Sequence, residues 1–179
     1  MSDTLFLSLS IIFAFGILLM LGTALANLFY RVPYVPTKMR VIEKVLKVAD
    51  LKKGQKVYDL GCGDGRFLIE ASKKADIDAT GFETAPIPYL LAYFSKWFHQ
   101  AKISIRMKNF FQQNLKDADV IFCYLLPETL LELKNKFLTE CHKGTKIICH
   151  TFPIEGLTPE KVVIKNKKAG LPTIYMYKI

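Results

Sequence analysis

The sequence predicts an α/β fold: an open, mostly parallel sheet with helices on both faces, preceded by one apolar N-terminal helix. Three observations carry this reading. From residue 55 onward, short apolar runs alternate with segments of helical period, as in a sheet built from strand–helix–strand units. The first run, Val57-Tyr58-Asp59-Leu60, enters a turn with glycine at every second position, Gly61-Cys62-Gly63-Asp64-Gly65, and that turn opens a helix at Arg66. Residues 4–30 carry no charge, whereas all 25 Lys and Arg lie beyond them. The chain divides accordingly into an anchor (1–30), a linker and helix (31–54) and a Rossmann-like domain (55–179).

Leu5 to Tyr30 is almost wholly apolar. Roughly 20 helical residues cross a bilayer core of about 30 Å, so the stretch is long enough to be a transmembrane helix. Phe29 and Tyr30 stand where interfacial aromatics belong, and Arg31, Lys38 and Arg40 follow. Ala24-Leu25-Ala26 resembles a signal cleavage site, but no Lys or Arg precedes the apolar run, which exceeds the usual signal core. The reading is an uncleaved single-pass anchor. Its basic flank is C-terminal, which places the domain in the cytoplasm, on the inner side of the membrane. Gly22 and Ala26 form a small-xxx-small pair of the kind that dimerises membrane helices. Val32-Pro33-Tyr34-Val35-Pro36 is a stiff, extended link, because each proline restricts the residue before it. Thr37 is placed to cap a helix whose apolar side is Ile42, Val45, Leu46 and Ala49, closed by Lys52-Lys53-Gly54.

The glycine turn narrows the ligand. Without Cβ atoms the backbone turns tightly and a ligand can approach the main chain. A dinucleotide loop needs G-x-G-x-x-G. Counted from Gly61 the third position is Arg66, and counted from Gly63 it is Leu68, which argues against a nicotinamide-dependent reductase. No G-x-x-x-x-G-K-[ST] is present either, so a triphosphate cradle is unsupported. Ala79-Thr80-Gly81-Phe82-Glu83 reads as the next strand. Glu83 falls at the spacing of a ribose-binding acid, roughly 20 residues beyond the turn. A carboxylate accepts two hydrogen bonds at once, which suits a vicinal diol. Between them, Arg66 to about Lys74 reads as a helix whose positive end faces the ligand.

Pro86 and Pro88 suit the first turn of a helix rich in aromatics: Tyr89, Tyr93, Phe94, Trp97 and Phe98. Phe94 and Trp97 are read as its core face, the others as groove lining or headgroup contacts. Ile103 to Lys108 is a third strand, followed by Asn109-Phe110-Phe111, and Asp119 to Leu125 a fourth, apolar enough for burial on both faces. Pro127 and Glu128 open a helix with Leu130, Leu133 and Phe137 on one side and Gly144 capping its far end. Thr145 to Phe152 is a fifth strand, and Lys161–Lys165 with Thr173–Lys178 a closing antiparallel pair. Ligands of open α/β sheets bind beyond the carboxyl ends of the strands. That rule brings Gly61 to Gly65, Glu83, Asn109-Phe110 and Tyr124 to one edge.

Net charge is +9, and +10 beyond residue 30, because Asp3 is the one charge before it. The excess suits an anionic membrane face or nucleic acid, and equally plain solubility and topology. Cys62, Cys123, Cys141 and Cys149 show no C-x-x-C spacing and no short disulfide framework, which suits a reducing compartment. The pairs Cys141-His142 and Cys149-His150 do not predict a metal site. A turn at Gly144-Thr145 separates them, and successive side chains on the following strand point to opposite faces.

Asp59-Leu60-Gly61-Cys62-Gly63-Asp64-Gly65 resembles the first motif of class I S-adenosylmethionine (SAM) methyltransferases, and the likeness covers most of residues 55–179. With the apolar N-terminal segment, Tyr34-Val35-Pro36-Thr37, Gly81-Phe82-Glu83 and Tyr124-Leu125-Leu126-Pro127, the chain is similar to a family of small protein-lysine methyltransferases. That family includes archaeal enzymes of broad substrate range and mitochondrial enzymes acting on an ATP synthase c-subunit and on the adenine nucleotide translocase. The resemblance implies SAM as cofactor, bound by Asp59, Gly61, Cys62, Gly63, Gly65 and Glu83, with Thr37 in a segment (Tyr34 to Thr37) that closes over it. Many relatives have an acid facing the adenine amino group at the end of the third strand. This chain has Asn109 there, whose amide oxygen still accepts a hydrogen bond. Tyr124 and Phe110 would line the methyl-transfer site. The implied acceptor is a protein lysine, on a membrane protein. A small molecule, a lipid or RNA are the other acceptors, and a non-catalytic SAM-binding module at the membrane is the rival of another class. No N-P-P-Y motif follows the fourth strand, which argues against base amino methylation, while the basic excess keeps nucleic acid open.

Overall fold

The computed structural model describes residues 2–30, 34–166 and 168–179. Arg31 and the Val32-Pro33 half of the expected stiff link lie outside the described residues, as do the side chains of Phe29 and Tyr30. Strands β1 (Lys56–Leu60), β2 (Asp78–Glu83), β3 (Ile103–Met107), β4 (Val120–Cys123) and β5 (Lys146–His150) pair in parallel. β7 (Ile174–Lys178) inserts antiparallel between β5 and β6 (Lys161–Val163), giving the order β3-β2-β1-β4-β5-β7-β6. The winding reverses between β1 and β4, the switch point where ligands of open sheets bind.

Among the described residues five α-helices accompany the sheet: α1 (Ser2–Tyr30), α2 (Met39–Ala49), α3 (Arg66–Lys74), α4 (Pro86–Phe98) and α5 (Pro127–Glu140). Alternation along the strands feeds two cores. Val120 and Phe122 of β4 join Ile42, Val45, Phe67 and Leu68 of α2 and α3 on one face. Ile121 and Cys123 join Leu130, Leu133 and Phe137 of α5 on the other. All four β4 residues are therefore buried, as its unbroken apolar run requires.

Several local boundaries differ from expectation. Lys38 rather than Thr37 is the N-cap of α2, and the helix stops at Ala49, where Asp50 takes the left-handed conformation (φ 48°) and donates its N–H to the Leu46 carbonyl. α5 ends at Glu140 with an extended Cys141. Gly144 belongs to the next turn, where its N–H donates to the Ile179 carbonyl at 2.6 Å.

The largest departure is α4. Its buried residues are Pro88 and Ala92, whereas Phe94 and Trp97 are 61% and 75% exposed. The reason is steric. The Ala92 Cβ lies only 3.4 Å from where a Cβ on Gly65 would stand, so the side of α4 that meets the glycine turn admits only small residues. The large rings occupy the outer side.

α1 carries the apolar span Asp3–Ala26, about 36 Å of helix at 1.5 Å per residue. It meets α4 near the end of that span. Prolines leave few free amides in the first turn of α4, and Ala85 offers no side-chain cap. The Ile87 N–H instead donates to Thr23 Oγ1 of α1 at 3.1 Å. Gly22, half of the expected dimerisation pair, faces Pro86 of its own chain, whose Cγ lies 3.2 Å from an ideal Cβ at that glycine.

Candidate active site

The glycine turn is built from three left-handed residues: Gly61 (φ 81°), Gly63 (φ 56°) and Gly65 (φ 76°), a conformation that costs an L side chain about 1–2 kcal/mol. It lies over the ends of β1 and β2, with the N–H groups of Gly61 and Cys62 both donating to the Phe82 carbonyl at 3.0 Å. Glu83 organises its other side. Its Oε2 accepts from the Gly63 N–H at 3.0 Å, and its Oε1 from those of Thr84 and Ala85 at 2.8 and 2.9 Å.

Two buried acids meet here. Burial pushes the Asp59 carboxyl well above the usual range, and the neighbouring charges of Glu83 and Asp64 push it further. Burial also raises Glu83, against the pull of its three amides. No cation among the described residues contributes to either. Asp64 differs: burial pushes its carboxyl up, but the Arg66 guanidinium, with Nε 2.9 Å from both oxygens, more than offsets this.

A cleft opens above the turn, lined by Tyr34, Thr37, Asp59, Cys62, Gly63, Glu83 and Tyr124 among others. The segment from Tyr34 to Thr37 straps across it. The Tyr34 ring lies on Gly63, with Cε2 2.9 Å from an ideal Cβ there, and burial and the Asp64 carboxylate raise its hydroxyl. Arg66 Nη1 donates to the Thr37 carbonyl at 3.1 Å. Arg66, which rules out the dinucleotide pattern, thus ties the strap to the turn.

Not every expected site residue converges here. Gly65 starts α3 and faces Ala92 and Ile105 rather than the cleft. Asn109 Oδ1 accepts from the Phe111 N–H at 2.9 Å, capping a single 3-10 turn. Phe110 is buried in the α5-side core against Phe111, with ring centroids 4.9 Å apart. Neither lines the cleft.

One residue that no sequence motif marks does reach the site. His150, at the end of β5, sets its ring edge-on to Tyr124 with centroids 3.9 Å apart. Its Nε2 is buried without a hydrogen-bond partner among the described residues. Desolvation holds the imidazole down to about 4, so it stays neutral at physiological pH. The next residue, Thr151, is left-handed (φ 73°), a strain that clusters at functional sites. Pro36, Tyr124, His150 and Thr151 line a second groove, which shares Tyr124 and the strap with the first.

The donor set fits SAM. The ligand brings a cationic sulfonium and ammonium to two buried acids without a counter-charge among the described residues, and a ribose hydroxyl to the acceptor site that Glu83 Oε2 keeps beside its Gly63 bond.

Comparison with known proteins agrees. Residues 59–161 match the ANTKMT methyltransferase domain family. The chain is 36% identical to a protein-lysine N-methyltransferase of Saccharolobus islandicus (strain REY15A), over 83% of this chain and 94% of that protein. It is 30% identical to the adenine nucleotide translocase lysine N-methyltransferase of Mus musculus and 26% identical to the ATP synthase c-subunit lysine N-methyltransferase of Homo sapiens, over 83% and 81% of this chain and 65% and 60% of theirs. Among solved structures, an RNA methyltransferase from Salinibacter ruber in complex with S-adenosyl-L-homocysteine superposes with a TM-score of 0.76 at 27% identity, over 81% of this chain and 94% of that one. An acid-lined cleft at the switch point, a matching domain and relatives aligned along most of the chain place this protein in the ANTKMT methyltransferase family, as a SAM-dependent methyltransferase.

Proposed function

We propose that this protein is a membrane-anchored protein-lysine methyltransferase, with α1 as a single span and residues 34–179 on the cytoplasmic face. One observation carries the acceptor: two grooves meet at Tyr124. Asp59, Cys62, Gly63, Glu83 and Thr37 border the first, where SAM binds. The second takes a long apolar side chain ending in an amine. The named targets of the relatives support a protein lysine.

Bound SAM supplies an already activated methyl group. The protein's task is to position the amine and exclude water, which is worth several kcal/mol of the barrier. A lysine must lose its proton to attack. The Tyr124 ring and the buried His150 edge, whose Nε2 has no partner among the described residues, offer a poorly solvated pocket that disfavours the ammonium. His150 is neutral, so it sets no positive charge against the incoming group. Tyr34 and Thr37 close the cofactor side.

The test is transfer of label from SAM to membrane-protein and RNA fractions by the full chain in vesicles, followed by hydrolysis and amino-acid analysis. Methyl-lysine confirms the reading. Label confined to RNA, for which the basic excess provides a motive, overturns it.

A further inference from the structure

The apolar stripe of α4 starts at α1 and continues past it. Ile87, Leu90, Leu91, Phe94, Trp97 and Phe98 recur at helical spacing along one side. α1 meets the stripe at the first turn of α4, through Gly22 against Pro86 and Thr23 Oγ1 on the Ile87 N–H. Further along, Trp97 is 75% and Phe98 77% exposed, and Leu91 and Phe94 are also exposed, with Leu90 partly buried. A contiguous aromatic face of this kind marks an interaction site rather than ordinary surface.

What covers it follows from α1. Gly22 and Thr23 lie in the last turns of the apolar span Asp3–Ala26. If that span crosses a bilayer, its end sits at the hydrocarbon boundary, and α4, bonded to it there, starts at the same level. Trp and Phe beside Lys96, with Lys102 just beyond, is the composition of an interfacial helix. We propose that α4 lies in the interfacial layer of the membrane that α1 crosses, with Trp97 and Phe98 among the headgroups and upper acyl chains. The inference rests on the anchor reading above and adds a second point of attachment. That point lies close to the chemistry: Ala85, at the start of α4, borders the SAM cleft and donates its N–H to Glu83. Two attachments fix the height and tilt of the cleft, which restricts acceptors to lysines near the membrane surface.

Trp97 is the only tryptophan in the chain and therefore reports on α4 alone. The experiment uses the full chain in phosphatidylcholine–phosphatidylglycerol vesicles, with bromine placed high or deep on the acyl chains. Expected are co-flotation, blue-shifted Trp97 emission, loss of most of that emission with high bromine, and weaker loss with deep bromine. Substituting Phe94→Ser and Phe98→Ser, both at exposed positions, should reduce the quenching while flotation persists. Failure to float would overturn the anchor and this inference together. Flotation with water-exposed, unquenched Trp97 would overturn this inference alone. So would a Trp97 shielded from acrylamide but untouched by bromine, which would assign the face to a second copy or another protein.

Discussion

Glu83→Gln keeps the shape of the side chain and removes its charge. The carboxylate holds three main-chain amides, one on Oε2 and two on Oε1, at 2.8–3.0 Å. A glutamine has one acceptor oxygen, so one end must turn N–H toward N–H. The less costly arrangement leaves the oxygen on Thr84 and Ala85 and sets the NH₂ against Gly63, in the middle of the cofactor turn. A hydrogen bond to a charged group contributes about 1.5–3 kcal/mol, so we expect a SAM dissociation constant raised about 10- to 100-fold. The free protein should suffer less, because the substitution also removes a buried charge that burial disfavours, and its melting temperature should move by no more than about 5 °C. Calorimetric titration of SAM and thermal unfolding of the full chain separate the two quantities. The pH dependence is a further check. The folded carboxyls of Asp59 and Glu83 titrate above their ordinary values, so the free protein loses stability as pH rises from the ordinary to the raised value, where the unfolded chain holds fewer protons. Cationic SAM favours the ionised acids, so its affinity should rise over the same interval and fall on acidification. Unchanged SAM affinity in Glu83→Gln would refute the reasoning.

Three other predictions follow from the geometry. Gly63→Ala places a Cβ 2.9 Å from the Tyr34 ring in a left-handed residue, so it should weaken SAM binding, and adding Tyr34→Ala should recover only the steric share; strict additivity in the double-mutant cycle would show that the contact does not matter. Gly81→Ala drives a Cβ to within 2.8 Å of Cys62 and Leu68, overpacking that should cost about 1–3 kcal/mol and lower the melting temperature by roughly 2–4 °C per kcal/mol; an unshifted melt would count against this tight contact. His150 is held at about 4 against an ordinary 6.5, so the unfolded chain binds its proton first. The stability from keeping it neutral, about 3 kcal/mol, is present above pH 6.5 and lost toward pH 4, and His150→Gln should flatten the acid limb of a melting-temperature–pH profile.

Much of this was legible in the chain itself. β1, β2, the glycine turn and the bounds of α3 follow from local causes: a short apolar run, positive-φ positions that favour glycine, and helical period. The acid at Glu83 follows from spacing, since the length of a strand–helix–strand unit is nearly fixed. Tertiary structure decided the rest. α4 is apolar on nearly every side, so periodicity cannot tell which side is covered, and the crowding of Ala92 against the glycine turn turns Phe94 and Trp97 outward. The cap on Ile87 comes from Thr23, 64 residues away, and the ring on Gly63 from Tyr34. His150 reaches Tyr124 only because β4 and β5 pair in register. Phe110 turns away from the cleft because a 3-10 turn, capped by Asn109, buries it in the other core. Each of these contacts depends on which distant segment arrives beside it, and local pattern does not encode that.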